Sequence, residues 1–401
     1  MKIYNLDTAN KDLFLGKDDN NREIYIFDLN NVQFINDLYY PNVLAFSQEE
    51  SKIYNPIREK IMSLKNLSNK STYDSKIQKT KNIYENPVFY FIYNTDNYYH
   101  FIYDTLPYLI SFQYLKQKYS NLKLLMNYPN HQKNSFYKFV DEFLEIVGIK
   151  NEDILIVNKE TLYKKVYISS SYTHDIDSNL PPRQEIYSFY NSIVENIKQK
   201  YENQELPSNI YISRRTWMHN DLSNIGTNYT TRRKLINENE LVDILQKKGY
   251  TEIFTENLST IEKVLLFNNA KNIIAPIGGG VCNALFCNNK VNINILVSPT
   301  FLDINNRFIY LFKDLNVNYN HQSEHIEKNE FKKYMRVKYG NIIGEIEDIN
   351  NNELLINYTD TNVAGWNNQN QYKTISINQK LCQKLDEGLN SEWILDLNSI
   401  I

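Results

Sequence analysis

The sequence predicts an α/β protein built from two consecutive α/β units, with a small β-containing lead-in and a β-rich C-terminal appendage. Three observations carry this. Strand-length apolar runs alternate with amphipathic stretches of helical period from Val88 onward, the pattern of a parallel sheet covered by helices. The alternation closes near residue 205 and restarts at Asn209. From about Lys333 it gives way to short runs broken by Asn-rich turns such as Asn350–Glu353. The implied division is a lead-in over 1–80, a first unit over 81–205, a second over 206–325 and the appendage over 326–401.

The elements follow in order. The lead-in has short apolar runs, Ile24–Phe27 and Val32–Ile35, and no chemical signal. Val88–Tyr93 reads as a strand and Tyr98–Tyr119 as a long helix, kinked where Pro107 cannot donate to the carbonyl of Tyr103. Leu122–Met126, Asp153–Val157 and Lys165–Ser170 read as strands, Ser135–Val147 as a helix, and Pro182–Tyr201 as a helix with proline at its start. In the second unit Asn209–Ser213 is a strand. Asn237 with Glu240 predicts a capping box for a helix that Gly249 ends. After the strand Glu252–Thr255, Ser259 with Glu262 predicts a second capping box. The apolar run from Asn272 passes through Pro276 and three glycines into a small helix, followed by the strand Ile293–Val297 and a helix near Asp303–Leu315.

Composition narrows the function classes. With 401 residues and 42% hydrophobic content the chain can bury several cores. A net charge of -3 argues against a binder that neutralises nucleic-acid phosphates. Thirty-two tyrosines suit stacking on sugars or bases. The three cysteines, Cys282, Cys287 and Cys382, lack zinc spacing and fit a reducing compartment. The N-terminus lacks the apolar core of a signal peptide and no run reaches membrane-span length, so the expectation is a cytoplasmic protein without a transmembrane segment.

Three groups of residues could do chemistry. Gly278, Gly279 and Gly280 allow positive φ and close approach of a ligand, and the following helix start would present unpaired N–H groups to an anion. Ser213-Arg-Arg215 and Arg232-Arg-Lys234 flank the first strand and first helix of the second unit, and an arginine fork suits phosphate oxygens. Together they point to a diphosphate site. His100 and Asp104, four apart, share a face at a helix start, as a catalytic pair or as an exposed capping pair. Asp175 and Asp177 could hold a divalent metal under a nucleotide sugar, or merely line a loop; the remaining histidines show no ligand spacing.

In order along the chain stand Asn97-x-x-His100-x-x-x-Asp104, a strand ending in Ser213-Arg-Arg215, and Arg232-Arg-Lys-Leu-Ile-Asn-Glu238. A Leu258-Ser-Thr-Ile-Glu262 helix start and Pro276-x-Gly-Gly-Gly-Val-Cys-Asn283 follow. The series resembles glycosyltransferase family 61 from Val88 to Phe301, most closely from Ile210 to Phe286. The resemblance implies two Rossmann-like domains of GT-B type facing a cleft. It implies a nucleotide-sugar donor as co-substrate, a glycan acceptor, inversion at the anomeric carbon, and no cofactor or essential metal. It places Arg214 or Arg215, and Arg233, on the donor diphosphate. Asn237, Glu238, Gly278, Gly279, Gly280 and Asn283 complete the donor side. The chain departs from the family pattern at Ile277, where histidine is usual, and at Gly279, Cys282 and Lys263.

For inverting transfer the arginines and the glycine turn would stabilise the leaving diphosphate, and Asp104 or His100 would take the acceptor proton. Asp104 is the favoured base, with His100 holding it or the acceptor; the reverse assignment stays open. A metal-dependent transferase using Asp175 and Asp177, and a glycan- or nucleotide-sugar-binding protein without turnover, are the competing readings.

Overall fold

A computed structural model describes residues 3–6, 9–35, 44–55, 80–91, 97–129, 134–173, 181–201, 205–215, 235–288, 290–299, 309, 311–312, 315–325, 331–333, 335–358, 373–384 and 393–400. The chain forms two compact units, Met1–Glu202 and Asn203–Ile401.

The first unit is built on a ten-stranded sheet. Its strands are β1 (Ile3–Asn5), β2 (Lys11–Lys17), β3 (Glu23–Ile35), β4 (Leu44–Ser47), β5 (Lys52–Asn55), β6 (Asn82–Tyr84), β7 (Val88–Tyr90), β8 (Lys123–Met126), β9 (Ile154–Ile156) and β10 (Thr161–Ser169). The main path runs β1-β5-β4-β3-β10-β7-β8-β9. The segment from β10 through β9 is parallel, as the alternation predicts. The expected purely parallel sheet is nevertheless a mixed one. The two apolar runs of the lead-in are one thirteen-residue strand, β3, which pairs antiparallel with β10. Both faces of β3 carry apolar residues, and Phe27, Leu29, Val32 and Phe34 pack with Val88, Tyr90, Leu125 and Val166 in one core. The long helix expected over 98–119 is instead divided into a turn at Tyr98–His100, a wide π-helical turn at Phe101–Thr105, and helix α1, Tyr108–Lys118. Helices α2 (Lys138–Ile146) and α3 (Glu185–Lys198) follow the predicted positions.

The second unit contains a five-stranded, all-parallel sheet: β11 (Asn209–Ile212), β12 (Thr251–Ile253), β13 (Asn272–Pro276), β14 (Asn292–Leu296) and β15 (Asn316–Asn320), in the order β12-β11-β13-β14-β15. Its helices are α4, Glu238–Lys247, and α5, Thr260–Asn269. The Ser259–Glu262 capping box forms as predicted. The one expected at Asn237 does not: its amide donates to the carbonyl of Leu395 at 2.9 Å and its oxygen accepts from the Leu395 N–H at 3.2 Å. Two backbone groups of Leu395, in the strand Trp393–Leu395, outcompete the helix end for the side chain. Gly249, at φ 81°, follows α4 in the left-handed conformation that closes such helices. Most of the helix expected near Asp303–Leu315 lies outside the described residues.

The tail forms β16 (Ser323–His325), β17 (Arg336–Tyr339), β18 (Ile342–Asn350), β19 (Glu353–Tyr358), β20 (Lys373–Asn378), β21 (Gln383–Lys384) and β22 (Trp393–Leu395). The expected Asn-rich turn joins β18 to β19, with Asn351 at φ 55°. Strands β17–β21 make an antiparallel sheet with its own core of Val337, Ile346, Leu354 and Ile356. The last strand, β22, instead buries Trp393 and Leu395 against Tyr211, Leu241, Leu245 and Leu296 of the second unit.

The amino ends of β11, β13, β14 and β15 start on asparagines in one register: Asn209, Asn272, Asn292 and Asn316. Each side-chain amide donates to the oxygen of the preceding rung, at 2.8, 3.1 and 2.7 Å. In-register parallel strands bring like residues close enough to form such ladders. Asn272 is a middle rung with a bond on each side, so Asn272→Ala should cost about 1–2 kcal/mol, and end-rung Asn316→Ala about half that. Urea unfolding checks it; equal losses would mean that the rungs act independently of their neighbours.

Candidate active site

In open parallel sheets ligands gather at the carboxyl ends of strands where the strand order reverses. Each unit has such a point. In the first, the chain steps from β7 to β8 and β9 on one side, then returns with β10 to the other. The carboxyl ends of β7 and β10 lead to the two segments that meet at Asp104.

Asn97 accepts the His100 N–H at 3.2 Å and starts the turn. His100 Nδ1 lies 2.7 Å from Asp104 Oδ2. Beside an ionised carboxylate, which only accepts, Nδ1 would be the donor in that bond and Nε2 the nitrogen without a proton. The other oxygen, Oδ1, accepts from Thr173 Oγ1 at 3.3 Å, four residues beyond β10. The Asp104 side chain is fully enclosed, whereas that of His100 is 29% exposed. His100, Asp104 and Thr173 thus form a chain in which only the imidazole reaches the surface. The expected exposed pair is half correct, because burial divides the two members. Thr173 carried no motif; its position just past a parallel strand was the one available signal.

In the second unit the order reverses between β11 and β13. Ser213–Arg215 follow β11, Thr255 and Glu256 follow β12, and the glycines follow β13. Glu238, at the start of α4, turns inward. Its Oε1 accepts from Tyr211 Oη at 2.8 Å, Ser213 Oγ at 3.3 Å and the Arg214 N–H at 2.7 Å. Burial raises the Glu238 carboxyl above its usual range, against the opposing pull of these bonds and of Arg214 and Arg215. Burial likewise lowers half-buried Arg214, partly offset by Glu238 and Glu256. Buried Glu256 is also raised by desolvation, with Arg214 and Lys263 opposing.

Arg215 is held inside the protein: Nε and Nη2 bind the two oxygens of Glu252 at 2.9 and 2.7 Å, and Nη1 donates to Asn239 at 2.7 Å. Arg233 lies outside the described residues, as do Arg232, Lys234, Asp175 and Asp177.

None of the three glycines uses the left-handed φ that the residue type allows. Gly278 is extended, and Gly279 opens a 3-10 helix, Gly279–Phe286. The need for glycine at 280 is steric: a Cβ there would stand 2.9 Å from Ile212 Cγ2 and 3.2 Å from Thr255 Oγ1. Gly280 therefore brings the turn after β13 against the ends of β11 and β12. Asn283 is buried and donates to the Gly280 carbonyl at 2.9 Å. Ile277 is buried, and its N–H continues the ladder to Leu296 at 2.9 Å.

Residues 98–294 match the family model described as Glycosyltransferase 61. They form a glycosyltransferase family 61 domain. The chain is accordingly a glycosyltransferase, an enzyme that takes a donor and an acceptor. No curated protein gives a significant match. The family 61 domain begins two residues before His100 and ends within β14, so it includes both carboxyl-end clusters. Among the described residues no helix is long and apolar enough to cross a membrane, and no group of histidine, cysteine and carboxylate side chains has the geometry to hold a metal.

The Glu238 carboxyl gathers three donors, which gives a test. Glu238→Ala strands them and should cost roughly 3 kcal/mol, while Glu238→Gln keeps an acceptor oxygen and should cost much less. Because the folded carboxyl sits above its ordinary value, the unfolded chain ionises first as pH rises. Unfolding free energy should therefore fall with pH above the ordinary glutamate range until the folded carboxyl also ionises, and Glu238→Gln should flatten that slope. Denaturant titrations across that range check both; an unchanged slope would contradict the account.

Proposed function

We propose that the enzyme moves a sugar from a nucleotide-diphosphate sugar, uridine-linked by preference, to a hydroxyl of a glycan or glycoprotein acceptor, with inversion at the anomeric carbon. The observation that carries the reading is the His100–Asp104–Thr173 chain, in which a buried, doubly bonded carboxylate orients an imidazole that reaches the surface. The acceptor oxygen attacks the anomeric carbon as the bond to the diphosphate oxygen breaks. The acceptor proton passes to Nε2 of His100, and the bonding pair leaves with the nucleotide diphosphate. This assigns the base to His100 and orientation to Asp104, because both Asp104 oxygens are already occupied.

On the donor side, Arg214 and the turn at Gly278–Gly280 are read as the diphosphate site, with Arg233 as a further contact; Glu238 and Asn283 shape it from behind. Arg215 is bound by Glu252 and serves this reading as scaffold. Transfer is proposed to need no metal, the leaving charge being met by arginine and backbone N–H groups. The second unit's strand order and the parallel part of the first support a GT-B reading of two Rossmann-like halves, the first extended by antiparallel strands.

Two variants test the division of roles. His100→Gln should lower turnover by ~10²–10⁴-fold with uridine diphosphate affinity retained. Arg214→Lys, which keeps charge but loses the planar fork, should weaken that affinity by roughly tenfold. Steady-state transfer assays in EDTA, across a panel of uridine-diphosphate sugars, with calorimetry on uridine diphosphate, read both. Parent turnover in His100→Gln would remove the base assignment, and activity restored only by manganese would remove the metal-free one.

A further inference from the structure

We propose that Tyr190 is a positioning residue for His100 and Asp104, acting through the carbonyl of Ile102; this rests on the reading of the pair as the base. The Leu106 N–H bonds to the carbonyl of Phe101, five residues back, at 2.8 Å. This widened turn spans Phe101–Thr105 and includes Asp104. In the widened register the next donor, to the carbonyl of Ile102, would be the N–H of residue 107. Residue 107 is proline and has none. In the ordinary α register Leu106 would serve Ile102, but it has already been spent on Phe101. The Ile102 carbonyl is therefore left without a backbone partner inside a fully buried segment, a costly state unless a side chain supplies a donor.

Tyr190 supplies it. Its hydroxyl, on α3, donates to the Ile102 carbonyl. The tyrosine is fully buried, on the same face as Ile186, Ile193 and Ile197, so its ring is fixed before the hydroxyl is aimed. Widened turns of this kind recur at functional sites because they re-aim side chains that an α-helix would hold elsewhere. Here Pro107 makes the vacancy, Tyr190 fills it, and the turn so held carries Asp104 between His100 and Thr173. α3, which has no chemical motif of its own, thereby acquires a role in the site.

The test uses the full chain and the imidazole itself. In the parent, nitrogen-edited NMR of His100 should show the Nδ1-protonated tautomer, with that proton protected from exchange by Asp104; a parent lacking it would overturn the reading of the pair as a base, whereas the role of Tyr190 stands or falls on the two variants. Tyr190→Phe, which removes one hydroxyl, should reduce the folding equilibrium constant by about tenfold and speed exchange of the Nδ1 proton. A folded Tyr190→Phe with parent exchange and tautomer would overturn the proposal. The second variant is Pro107→Ala, which returns an N–H to residue 107. In that background Tyr190→Phe should lose most of its penalty; an undiminished penalty would equally overturn it, since the hydroxyl would then not be filling the vacancy that proline creates.

Discussion

The register of the parallel sheet in the second unit is the constraint on which its candidate donor site depends. Asn209, Asn272, Asn292 and Asn316 are bonded in a row at the amino ends of four strands. A slip of one residue would break every rung and exchange the side chains that each strand presents to its two buried faces. With the amino ends fixed, the strand lengths decide where the carboxyl ends fall. Arg214, Thr255 and the glycine turn then meet at one edge, and Gly280 lets them meet closely because it has no Cβ to strike Ile212 and Thr255. The inward carboxylate of Glu238 locks the end of β11 by collecting two hydroxyls and a backbone N–H. The asparagine ladder thus occupies one end of the sheet and the candidate donor site the other.

The first unit solves a related problem with a missing donor. Proline at 107 prevents a continuous helix, and the chain answers with a widened turn and a tyrosine hydroxyl from α3. The consequence is a separation of roles that charge alone would not give. Asp104 is enclosed and bonded on both oxygens, while the imidazole beside it remains accessible. Orientation by a buried carboxylate and proton transfer by a histidine is the division that this burial favours.

Local signals were legible in the sequence and distant ones were not. The capping box of Ser259 and Glu262 forms because both partners lie within one turn. The same pattern at Asn237 misled, since its partners are backbone groups of Leu395, which reach it only through the tertiary fold. The glycines marked the correct turn for an incomplete reason: close approach to Ile212 and Thr255, not positive φ, is what Gly280 requires. Arg214 and Arg215 looked equivalent side by side, and only the position of Glu252 on the neighbouring strand tells them apart. Strand β3 joined the first sheet through pairing with residues more than a hundred positions away, which no local period reveals. The bond from Thr173 to Asp104 joins residues 69 positions apart and was hidden for the same reason.

The central claim is that the donor nucleotide binds at the carboxyl edge of the second unit's sheet. Hydrogen–deuterium exchange of the intact enzyme with and without uridine diphosphate tests it most directly. Backbone N–H groups that cradle a diphosphate lose contact with water, so slowed exchange is predicted in peptides covering 213–215, 254–257 and 277–283, with little change at the asparagine ladder. Protection confined to the first unit, or spread evenly along the chain, would contradict the account.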